Sequence, residues 1–534
     1  MSGESCIVVS LDKGYDKLEW SFIKDILGKA NLPDNLIQVI MSCVSTVSTS
    51  VLFNGGCLEE FWPSRGIRQG DPLSPYLFIL CMDYLGQLIQ EKCEENIWIP
   101  IKAFRGGPAF SHLFFADDLV LFARADHTNC SAIRDVLDEF CAISGQTISD
   151  SKSRVYFSPN VDRDTKESLS DILGFQSTLT IGKYLGIPIK VPGSSTRDFN
   201  FIVDRMKQKL AGWKASLLSQ AGRAVLVQSS LSTIPNYVMQ CTHLPGKVLD
   251  GIDRVNKNFL WGSSESSKRM HWIGWGKVTK PKGEGGLGLQ TAKGRNLSLL
   301  AKLNWRFQTE GDSLWAKVIK SKYCSQQRLR SRNSDKLPCS QVWAGMKKAR
   351  TVFQNGTRWF PGRESNLSFW FDSWTSRGPL RQVVQGPLPL ESEKLKIRDV
   401  VDESGWNWDL IPFDLPLQCK KEIQAIPFAI TTRSQDRLTW VGAKHGDFDL
   451  QSAYRLAENL GAVEPFHGKW VWDLKTLPRI QFFLWKCCHN SVGVRERLAA
   501  RSISTDVICP LCLSGVETIS HALRDCPIIK DIWI

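Results

Sequence analysis

Two adjacent aspartates, Asp117 and Asp118, stand between two apolar runs in the segment SHLFFADDLVLFARA, residues 111–125. The flanking runs have the length and composition of short β-strands, which predicts a hairpin with the pair at its tip. At a hairpin tip the two-residue alternation of a strand is relaxed, so neighbouring carboxylates can lean toward one point. Two anions that close need a cation, and hard oxygen ligands select Mg²⁺ or Mn²⁺. Acidic pairs are also common in surface turns, so the pair alone does not establish a metal site.

A second segment, SRGIRQGDPLSPYLFIL at residues 64–80, predicts a loop that opens a helix. Its glycines allow close backbone approach, and its arginine and glutamine offer hydrogen-bond donors. The residues concerned are Gly66, Arg68, Gln69 and Gly70. Ser74 followed by Pro75 is typical of a helix N-cap and first turn. The segment therefore predicts a loop that lies against a ligand.

The wider pattern predicts an α+β domain followed by a helical one. Apolar residues at helical spacing fill 17–30, and residues 47–56 form a strand that enters a Gly-Gly turn. Residues 182–195 add a strand and a turn-rich exit. Beyond them, 198–239 and 292–308 are helical, and the first of these segments is basic.

Charge and cysteine usage restrict the class of protein. Residues 1–150 hold 11 lysines and arginines against 20 aspartates and glutamates, whereas the rest holds 56 against 34. A basic surface downstream favours a polyanionic partner such as nucleic acid, although a solvated lysine-rich surface remains open. Sixteen mostly scattered cysteines, no long apolar stretch and no secretion signal predict an intracellular chain without a membrane span.

Several of the 20 tryptophans adjoin basic residues, as in GWK at 212–214 and HWIGWGK at 271–277. Aromatic rings beside cations can stack nucleic-acid bases. Core packing is the alternative for most of these tryptophans, and the sequence does not separate the two.

The ordered series of motifs resembles the non-LTR (LINE-type) retrotransposon reverse transcriptases of plants. The motifs are RQGDPLSP at 68–75, FADDLVLF at 115–122, SGQTISDSKS at 144–153, YLGIPI at 184–189 and GGLGL at 285–289. The resemblance implies a polymerase palm, in which helices pack on an antiparallel sheet, with a helical thumb and a small C-terminal zinc module. The expected domains are a palm at 1–195, a basic thumb at 196–310, a connecting region of unknown role at 311–430 and a zinc-binding domain at 431–534.

The resemblance also implies the site residues. In that family the hairpin aspartates, here Asp117 and Asp118, ligate the catalytic Mg²⁺ or Mn²⁺ ions. The loop residues Arg68, Gln69 and Gly70 contact the template and the incoming nucleotide. Lys152 matches a lysine that assists the leaving pyrophosphate, with a solvated surface cation as the alternative reading. The implied partners are an RNA template and a DNA primer.

One family position departs from the pattern. The palm needs a third carboxylate on its first strand, within a motif of the form Asp-x-x-Lys-Ala-Tyr/Phe-Asp. Alignment of SLDKGYDKLEW, residues 10–20, puts Ser10 at that place and Tyr15 at the aromatic that excludes the ribose 2′-hydroxyl. Asp12 is an alternative ligand if the strand bends. A neutral serine is a poor Mg²⁺ ligand and leaves the site one negative charge short.

The C-terminal segment CPLCLSGVETISHALRDC carries a C-x2-C-x8-H-x4-C pattern. Its candidate zinc ligands are Cys509, Cys512, His521 and Cys526. Three thiolates and one imidazole make a closed tetrahedral site, which is structural because no ligand position stays open. Unligated thiols in a helix-turn segment are the alternative. The nearby His489 is expected to pack rather than to ligate.

The sequence therefore predicts a retrotransposon-derived RNA-directed DNA polymerase that is weak or inactive, because Ser10 replaces the first aspartate. We also expect an N-terminal truncation that removes the fingers, and no ribonuclease H or endonuclease domain. The expected location is the nucleus. The alternative function is a non-catalytic nucleic-acid-binding protein that uses the basic thumb and the zinc module, and a reading frame without a cellular role is a third possibility.

Overall fold

The structure is a computed structural model that divides into two compact units. The first contains Met1–Gly193 with Asp312–Leu337, and the second contains Ser194–Gly311 with Pro338–Ile534. The structure describes residues 4–104, 106–189, 196–211, 217–264, 267–324, 339–362, 364–384, 386–402, 405–411, 415–426, 435–460 and 466–533. The GWK motif at 212–214 and the turn-rich exit after 189 lie outside these residues. Within them, no helix combines the length and apolarity needed to cross a bilayer.

The first unit is built on a five-stranded sheet in the order β6-β7-β1-β8-β9, antiparallel except for the β8 and β9 pair. The strands of the unit are β1 (Glu4–Ser10), β2 (Leu52–Phe53), β3 (Gly56–Cys57), β4 (Ile101–Lys102), β5 (Ala109–Phe110), β6 (His112–Phe115), β7 (Asp118–Arg124), β8 (Arg154–Phe157), β9 (Gln176–Ser177), β10 (Gly182–Tyr184) and β11 (Ile187–Ile189). The remaining strands pair as the hairpins β2-β3, β4-β5 and β10-β11.

Helices cover one face of the five-stranded sheet. They are α1 (Gly14–Lys17), α2 (Trp20–Lys29), α3 (Asp34–Ser45), α4 (Ser74–Glu94), α5 (His127–Ser144) and α6 (Arg163–Leu173). Along β1, burial alternates so that Ile7 and Val9 are fully buried in the core that these helices share, while Val8 and Ser10 are half-buried on the other face. The α+β class and the helix-on-sheet architecture are therefore confirmed.

Three local details differ from the sequence expectations. The first long helix begins at Trp20, not within the preceding residues, although Leu18 is buried as its spacing suggested. In residues 47–56 the predicted strand is only the two-residue β2, and Gly56, predicted to lie in the turn, begins β3. Residues 182–195 were predicted to form a strand with a turn-rich exit, but Leu185 and Gly186 have φ of 48° and 75°, so the chain reverses there into the β10-β11 hairpin. Two consecutive left-handed residues form the tight turn that hairpins favour.

The second unit is mainly helical. Its helices begin with α7 (Asn200–Ala211), α8 (Gln220–Ser229), α9 (Asn236–Met239), α10 (Gly246–Trp261), α11 (Trp275–Val278) and α12 (Ala292–Thr309). Those that follow are Gln341–Lys348, Arg350–Gly356, Leu380–Val383, Leu417–Gln424, Leu450–Ala457, Pro478–Cys488, Arg495–Ala499 and Pro527–Trp533. Short strands pair as Thr357–Phe360 with Arg437–Trp440 and as Val401–Asp402 with Gly405–Trp406.

Helix α12 confirms the expected helix at 292–308 and lies in the core of the second unit. It begins at Thr291, whose hydroxyl accepts a hydrogen bond from the Gly294 amide at 3.0 Å. The buried Asn296 donates to the carbonyl oxygens of Met239 and Thr242 at 3.0 and 2.9 Å. A fully satisfied buried amide fixes the register of this helix against the residues that follow α9.

Candidate active site and metal centre

The predicted hairpin around the acidic pair is present in the first unit. Because Phe115 and Asp118 are paired residues of β6 and β7, only Ala116 and Asp117 form the turn. Ala116 has a left-handed φ of 51°. The Leu11 amide donates to the carbonyl oxygen of Asp117 at 3.1 Å, so the tip of the hairpin is tied to the end of β1. Asp117 is exposed and Asp118 is half-buried.

Ser10 lies directly opposite Asp118 in the antiparallel pair of β1 and β7. Residues in such positions point to the same face of a sheet, with Cβ atoms about 4.5–5.5 Å apart. On its other side, Ser10 accepts a hydrogen bond from the Ser149 amide at 2.9 Å, and its own amide donates to the Ser153 hydroxyl at 3.3 Å. The first strand therefore brings a hydroxyl, not a carboxylate, to the face that carries Asp118.

At the hairpin, two neighbouring carboxylates, Asp117 and Asp118, repel each other, and the Lys152 ammonium partly offsets that repulsion. Burial raises the pKa of Asp118, the neighbouring Asp117 raises it further, and Lys152 opposes both effects. Lys152 follows the turn that hydrogen-bonds to Ser10, which explains how a residue distant in sequence reaches the pair. A divalent ion between the two carboxylates would relieve the repulsion that raises this pKa.

The Asp12 carboxylate is paired with Lys17 and not with the acidic hairpin. Its carboxylate accepts a hydrogen bond from the Lys17 ammonium at 2.8 Å, and this contact lowers the pKa of Asp12. The Asp12 amide donates to the Thr147 carbonyl at 2.9 Å, beyond the last residue of β1. Asp12 therefore has a cationic partner of its own and does not occupy the position opposite Asp118.

Tyr15 is held next to the acidic hairpin by its neighbours. Its ring stacks on Phe78, with ring centroids 4.8 Å apart and planes within 8°. A Cβ atom on the preceding Gly14 would lie 3.2 Å from the Phe78 ring and 3.6 Å from the Cβ atom of Asp117. The turn that bears Tyr15 thus packs directly against the aspartate hairpin.

The loop at 64–74 is bound to the same turn. The Ile67 amide donates to the Tyr15 carbonyl at 2.8 Å, and the Gly66 amide donates to Leu18 at 2.7 Å. At Gly66, where φ is 84°, a Cβ atom would lie 2.6 Å from the Asp16 carbonyl oxygen. The predicted close approach of two backbone segments is therefore confirmed at Gly66, which lies against the backbone of Asp16.

The remaining loop residues are exposed. Arg68 forms an ion pair with Asp71 of the same loop at 2.6 Å, and Gln69 and Gly70 carry no described contact. The prediction of Ser74 as N-cap is wrong. Ser74 is the buried first residue of α4, and Leu73 occupies the N-cap position without a side-chain cap. The Asp71 carboxylate accepts the Leu73 amide at 2.9 Å in the turn that precedes the helix.

Gln146 is a site residue that sequence reasoning missed. Its side chain is 1% exposed, and its amide nitrogen donates to the Gly14 carbonyl at 2.7 Å. This bond joins the SGQTISDSKS motif to the turn that bears Tyr15. The motif gives no separate signal for Gln146, because Ser144 and Ser153 of the same segment are also buried and the partner of Gln146 lies 132 residues away in sequence.

The four candidate zinc ligands of the second unit come together. The ligand atoms of Cys509, Cys512, His521 and Cys526 all lie within 4.8 Å of one another. The Cys512 sulfur is 3.2 Å from the His521 Nε2 atom, and the sulfurs of Cys509 and Cys526 are 4.0 Å apart. Zinc bonds of about 2.0–2.3 Å require this spacing. Hydrogen bonding, chiefly by Ser514, lowers the pKa of Cys512 to about 6, which favours the thiolate that binds metal.

A short hairpin and one helical turn hold these ligands. The Cys509 amide donates to the Gly515 carbonyl at 2.8 Å, and the Glu517 amide donates to Val507 at 2.8 Å. His521 begins the turn His521–Asp525, and Cys526 follows it directly. The arrangement fits a closed Cys₃His zinc site with no open ligand position.

His489 is packed, as expected. Its ring stacks on Phe466 with centroids 5.0 Å apart, and its Nε2 atom is 2.6 Å from the Gly285 carbonyl oxygen. Burial lowers its pKa. All sixteen cysteines lie among the described residues, and none forms a disulfide.

Two segments of this chain match known protein families. Residues 2–189 match the family model described as reverse transcriptase (RNA-dependent DNA polymerase), and residues 448–533 match the model described as zinc-binding in reverse transcriptase. The antiparallel sheet, its acidic hairpin and these matches define a polymerase domain of the reverse transcriptase class.

Two relatives show which reverse transcriptases this chain is similar to. A putative ribonuclease H protein of Arabidopsis thaliana is 32% identical over 63% of this chain and 55% of its own length. The retrovirus-related Pol polyprotein of the type-2 retrotransposable element R2DM of Drosophila melanogaster is 33% identical over 28% of this chain and 13% of its own length. The chain therefore contains a reverse transcriptase domain at 2–189 and a reverse transcriptase zinc-binding domain at 448–533, and it is similar to retrotransposon proteins. It spans about half the length of the first of these relatives.

Among solved structures, apo telomerase of Candida tropicalis is 18% identical over 30% of this chain and 32% of its own, with a TM-score of 0.24. A likeness at that score is too distant to guide residue assignments.

Proposed function

We propose that this chain derives from an RNA-directed DNA polymerase and that its own polymerase step is weak or absent. The observation that supports this most directly is the pairing of Ser10 with Asp118. In the proposed site Asp117 and Asp118 hold Mg²⁺ or Mn²⁺. The third ligand position, at Ser10, carries no charge. When bound, such ions neutralise the charge that develops as a primer hydroxyl attacks a nucleotide phosphate.

The other residues of the site have positioning roles in this proposal. Tyr15, fixed by its stack on Phe78, would exclude a ribose 2′-hydroxyl and so select deoxynucleotides. The exposed Gln69 and Gly70 would contact the templating base and the incoming nucleotide. Lys152 would stabilise the negative charge of the departing pyrophosphate, because its charge already acts on Asp118.

The exposed Arg68 has a separate proposed role. It would exchange its partner Asp71 for a phosphate oxygen, since both are anionic oxygen acceptors for a guanidinium group.

The proposed partners are an RNA template and a DNA primer, as in the retrotransposon family. Synthesis primed from chromosomal DNA would take place in the nucleus. The division into a palm (1–195), a basic thumb (196–310), a connecting region (311–430) and a zinc-binding domain (431–534) is part of the same proposal.

A primer-extension assay with poly(rA) and oligo(dT) tests this function. The unaltered chain should extend the primer at close to background rate, and Ser10→Asp should raise the rate about 10²-fold or more, since a missing electrostatic group costs about that factor. The double variant Ser10→Asp with Asp118→Ala should return to background. Robust synthesis by the unaltered chain would contradict the proposed loss of activity.

A further inference from the structure

A cleft of about 760 Å³ lies within the second unit, between residues 272–280 and residues 489–501. The first wall contains the HWIGWGK motif and lies outside both ranges that match the reverse transcriptase family models. The cleft is comparable in size with pockets of roughly 300–1,000 Å³ that enclose small organic ligands. It can enclose part of one flexible strand but not the width of a double helix.

The lining of this cleft is basic. It includes Lys277, Lys280, Arg497 and Arg501, and none of the described residues that line it carries a carboxylate. Asn490 and Ser491 add polar groups. A concave surface with charges of one sign concentrates counter-ions and raises the local concentration of polyanions.

A second cleft of about 590 Å³ shares Trp272 with the first and adds Arg223 and Arg269. The positive charges of the two clefts contribute to the pKa shifts of neighbouring side chains. Burial and then the charge of Arg269 lower the pKa of Arg223. Burial chiefly lowers the pKa of His489, and Lys277 contributes to that lowering. The two adjoining clefts therefore form one basic band, which we call the Trp272 band, from Arg223 to Lys280.

Arg501 is fixed at the centre of the Trp272 band. Its guanidinium group lies 5.2 Å from the centroid of the Trp272 ring and donates to the carbonyl oxygens of Trp272 and His271 at 2.7 and 3.3 Å. A cation held by an aromatic ring and two carbonyls loses little side-chain entropy when it meets a phosphate. Arg501, at the centre of the band, is therefore preorganised to bind an anion.

The same wall is bound to the zinc module. The Arg495 amide donates to the Glu517 carboxylate at 2.7 Å, and the Glu496 amide donates to the Glu517 carbonyl oxygen at 3.3 Å. Glu517 in turn closes the hairpin that carries Cys509. The zinc site therefore supports the helix Arg495–Ala499, which carries Arg497 of the cleft and is followed two residues after its end by Arg501.

We infer that the Trp272 band binds the phosphodiester backbone of single-stranded nucleic acid. Its cations neutralise successive phosphates, and the half-buried Trp272 offers an aromatic edge beside them. This function does not depend on the palm, because every residue of the band lies in the second unit and none belongs to the acidic hairpin.

Fluorescence anisotropy with labelled 20-nucleotide RNA and DNA strands of the same sequence tests the inference on the full chain. Lys277→Glu with Lys280→Glu should weaken binding of RNA, DNA or both about tenfold or more. The slope of log affinity against log salt should fall by about 1.4, since each lost phosphate contact contributes about 0.7 for a single strand. The strand that loses more affinity identifies the natural ligand class.

Lys247→Glu with Lys444→Glu is the matched control, because both lysines are exposed in the same unit and line neither cleft. It should change the affinity less than twofold. Asp118→Ala should also leave the affinity unchanged, which separates this site from the polymerase function. If the charge reversal perturbs the far-UV circular dichroism, Lys277→Gln with Lys280→Gln replaces it. Equal affinity and equal salt slope in the cleft and control variants, for both strands, would overturn the inference.

Discussion

Ser10 and Asp118 face each other across β1 and β7, and this pairing decides which residue of the first strand stands beside the acidic hairpin. A carboxylate at position 10 would complete a three-anion site, whereas the hydroxyl leaves two. Asp12 cannot substitute from its observed position, because it lies past the end of β1 and is paired with Lys17.

Ser10→Asp should therefore tighten metal binding. We expect Mn²⁺ to bind the variant about tenfold or more tightly than the unaltered chain, because a third carboxylate adds an anionic oxygen ligand. Ser10→Asn, which replaces the hydroxyl with a neutral amide of about the size of the aspartate side chain, should have a much smaller effect. Electron paramagnetic resonance of free Mn²⁺ measures both, and equal affinities for the two variants would show that position 10 does not face the ion.

The two glycines of the loop provide a test of backbone packing. At Gly66 a methyl group would meet the Asp16 carbonyl oxygen at 2.6 Å, while at Gly70, with φ of 92°, it would meet nothing within 4 Å. Gly70→Ala should cost only the strain of a left-handed residue, about 1–2 kcal/mol. Gly66→Ala should cost clearly more in urea unfolding, because α1, which contains Asp16, must also move. Similar losses for both variants would contradict this packing.

The raised pKa of Asp253 should make the free energy of unfolding of the second unit depend on pH. Burial raises its pKa from 3.8 to about 6, although its carboxylate accepts the Ala292 amide at 3.0 Å. A carboxyl group whose folded pKa is raised stabilises the fold fully below the unfolded pKa and loses that contribution as pH rises through the folded pKa. The loss between about pH 4 and pH 6 should reach about 3 kcal/mol, since one pKa unit corresponds to 1.36 kcal/mol.

Asp253→Asn keeps the acceptor for the Ala292 amide and removes the titration. The difference in thermal stability between the unaltered chain and this variant should therefore change in favour of the variant as pH rises from 4 to 6.5. Asp372→Asn, which replaces a half-buried carboxylate that accepts the Ser368 amide, is the control. A constant difference across this range for Asp253→Asn would show that the group titrates normally.

Zinc should be required for the folding of the C-terminal module. Purified protein should contain one zinc ion per chain, and Cys509→Ser should lower that content to near zero, because one lost thiolate opens a closed site. Chelation should raise hydrogen exchange in residues 507–526 and, through Glu517, in the helix Arg495–Ala499. Cys488→Ser changes an exposed cysteine outside the cluster and should leave the zinc content at one. Full zinc content in Cys509→Ser would contradict the assignment.

Local sequence patterns predicted the elements that depend on nearby residues. The hairpin around Asp117 follows from two short apolar runs, and α12 follows from its helical periodicity. The spacing of Cys509, Cys512, His521 and Cys526 sufficed because a zinc ion imposes a similar geometry wherever those ligands occur. Ser74 was misassigned as a cap because the helix begins one residue earlier than the Ser-Pro pattern indicates, and the preceding turn at Asp71 depends on a loop conformation that the pattern does not specify.

Other relationships depend on the path of the whole chain. The bond from Gln146 to Gly14 joins residues far apart in sequence, and nothing in either segment indicates the other. The Trp272 band likewise combines the HWIGWGK motif with arginines more than 200 residues later. Charge counts placed the basic surface downstream, but not in a particular cleft.

The amino-acid sequence by itself determined the acidic hairpin, the spacing of the Cys₃His cluster and the serine where the family motif has its first aspartate, because these are properties of residue type and short spacing. Only the tertiary structure decided that Ser10 pairs with Asp118, that Asp12 is held by Lys17, and that Trp272 lies among the arginines. The physical reason is that strand register and helix packing are set by burial of the entire core, to which distant segments contribute together.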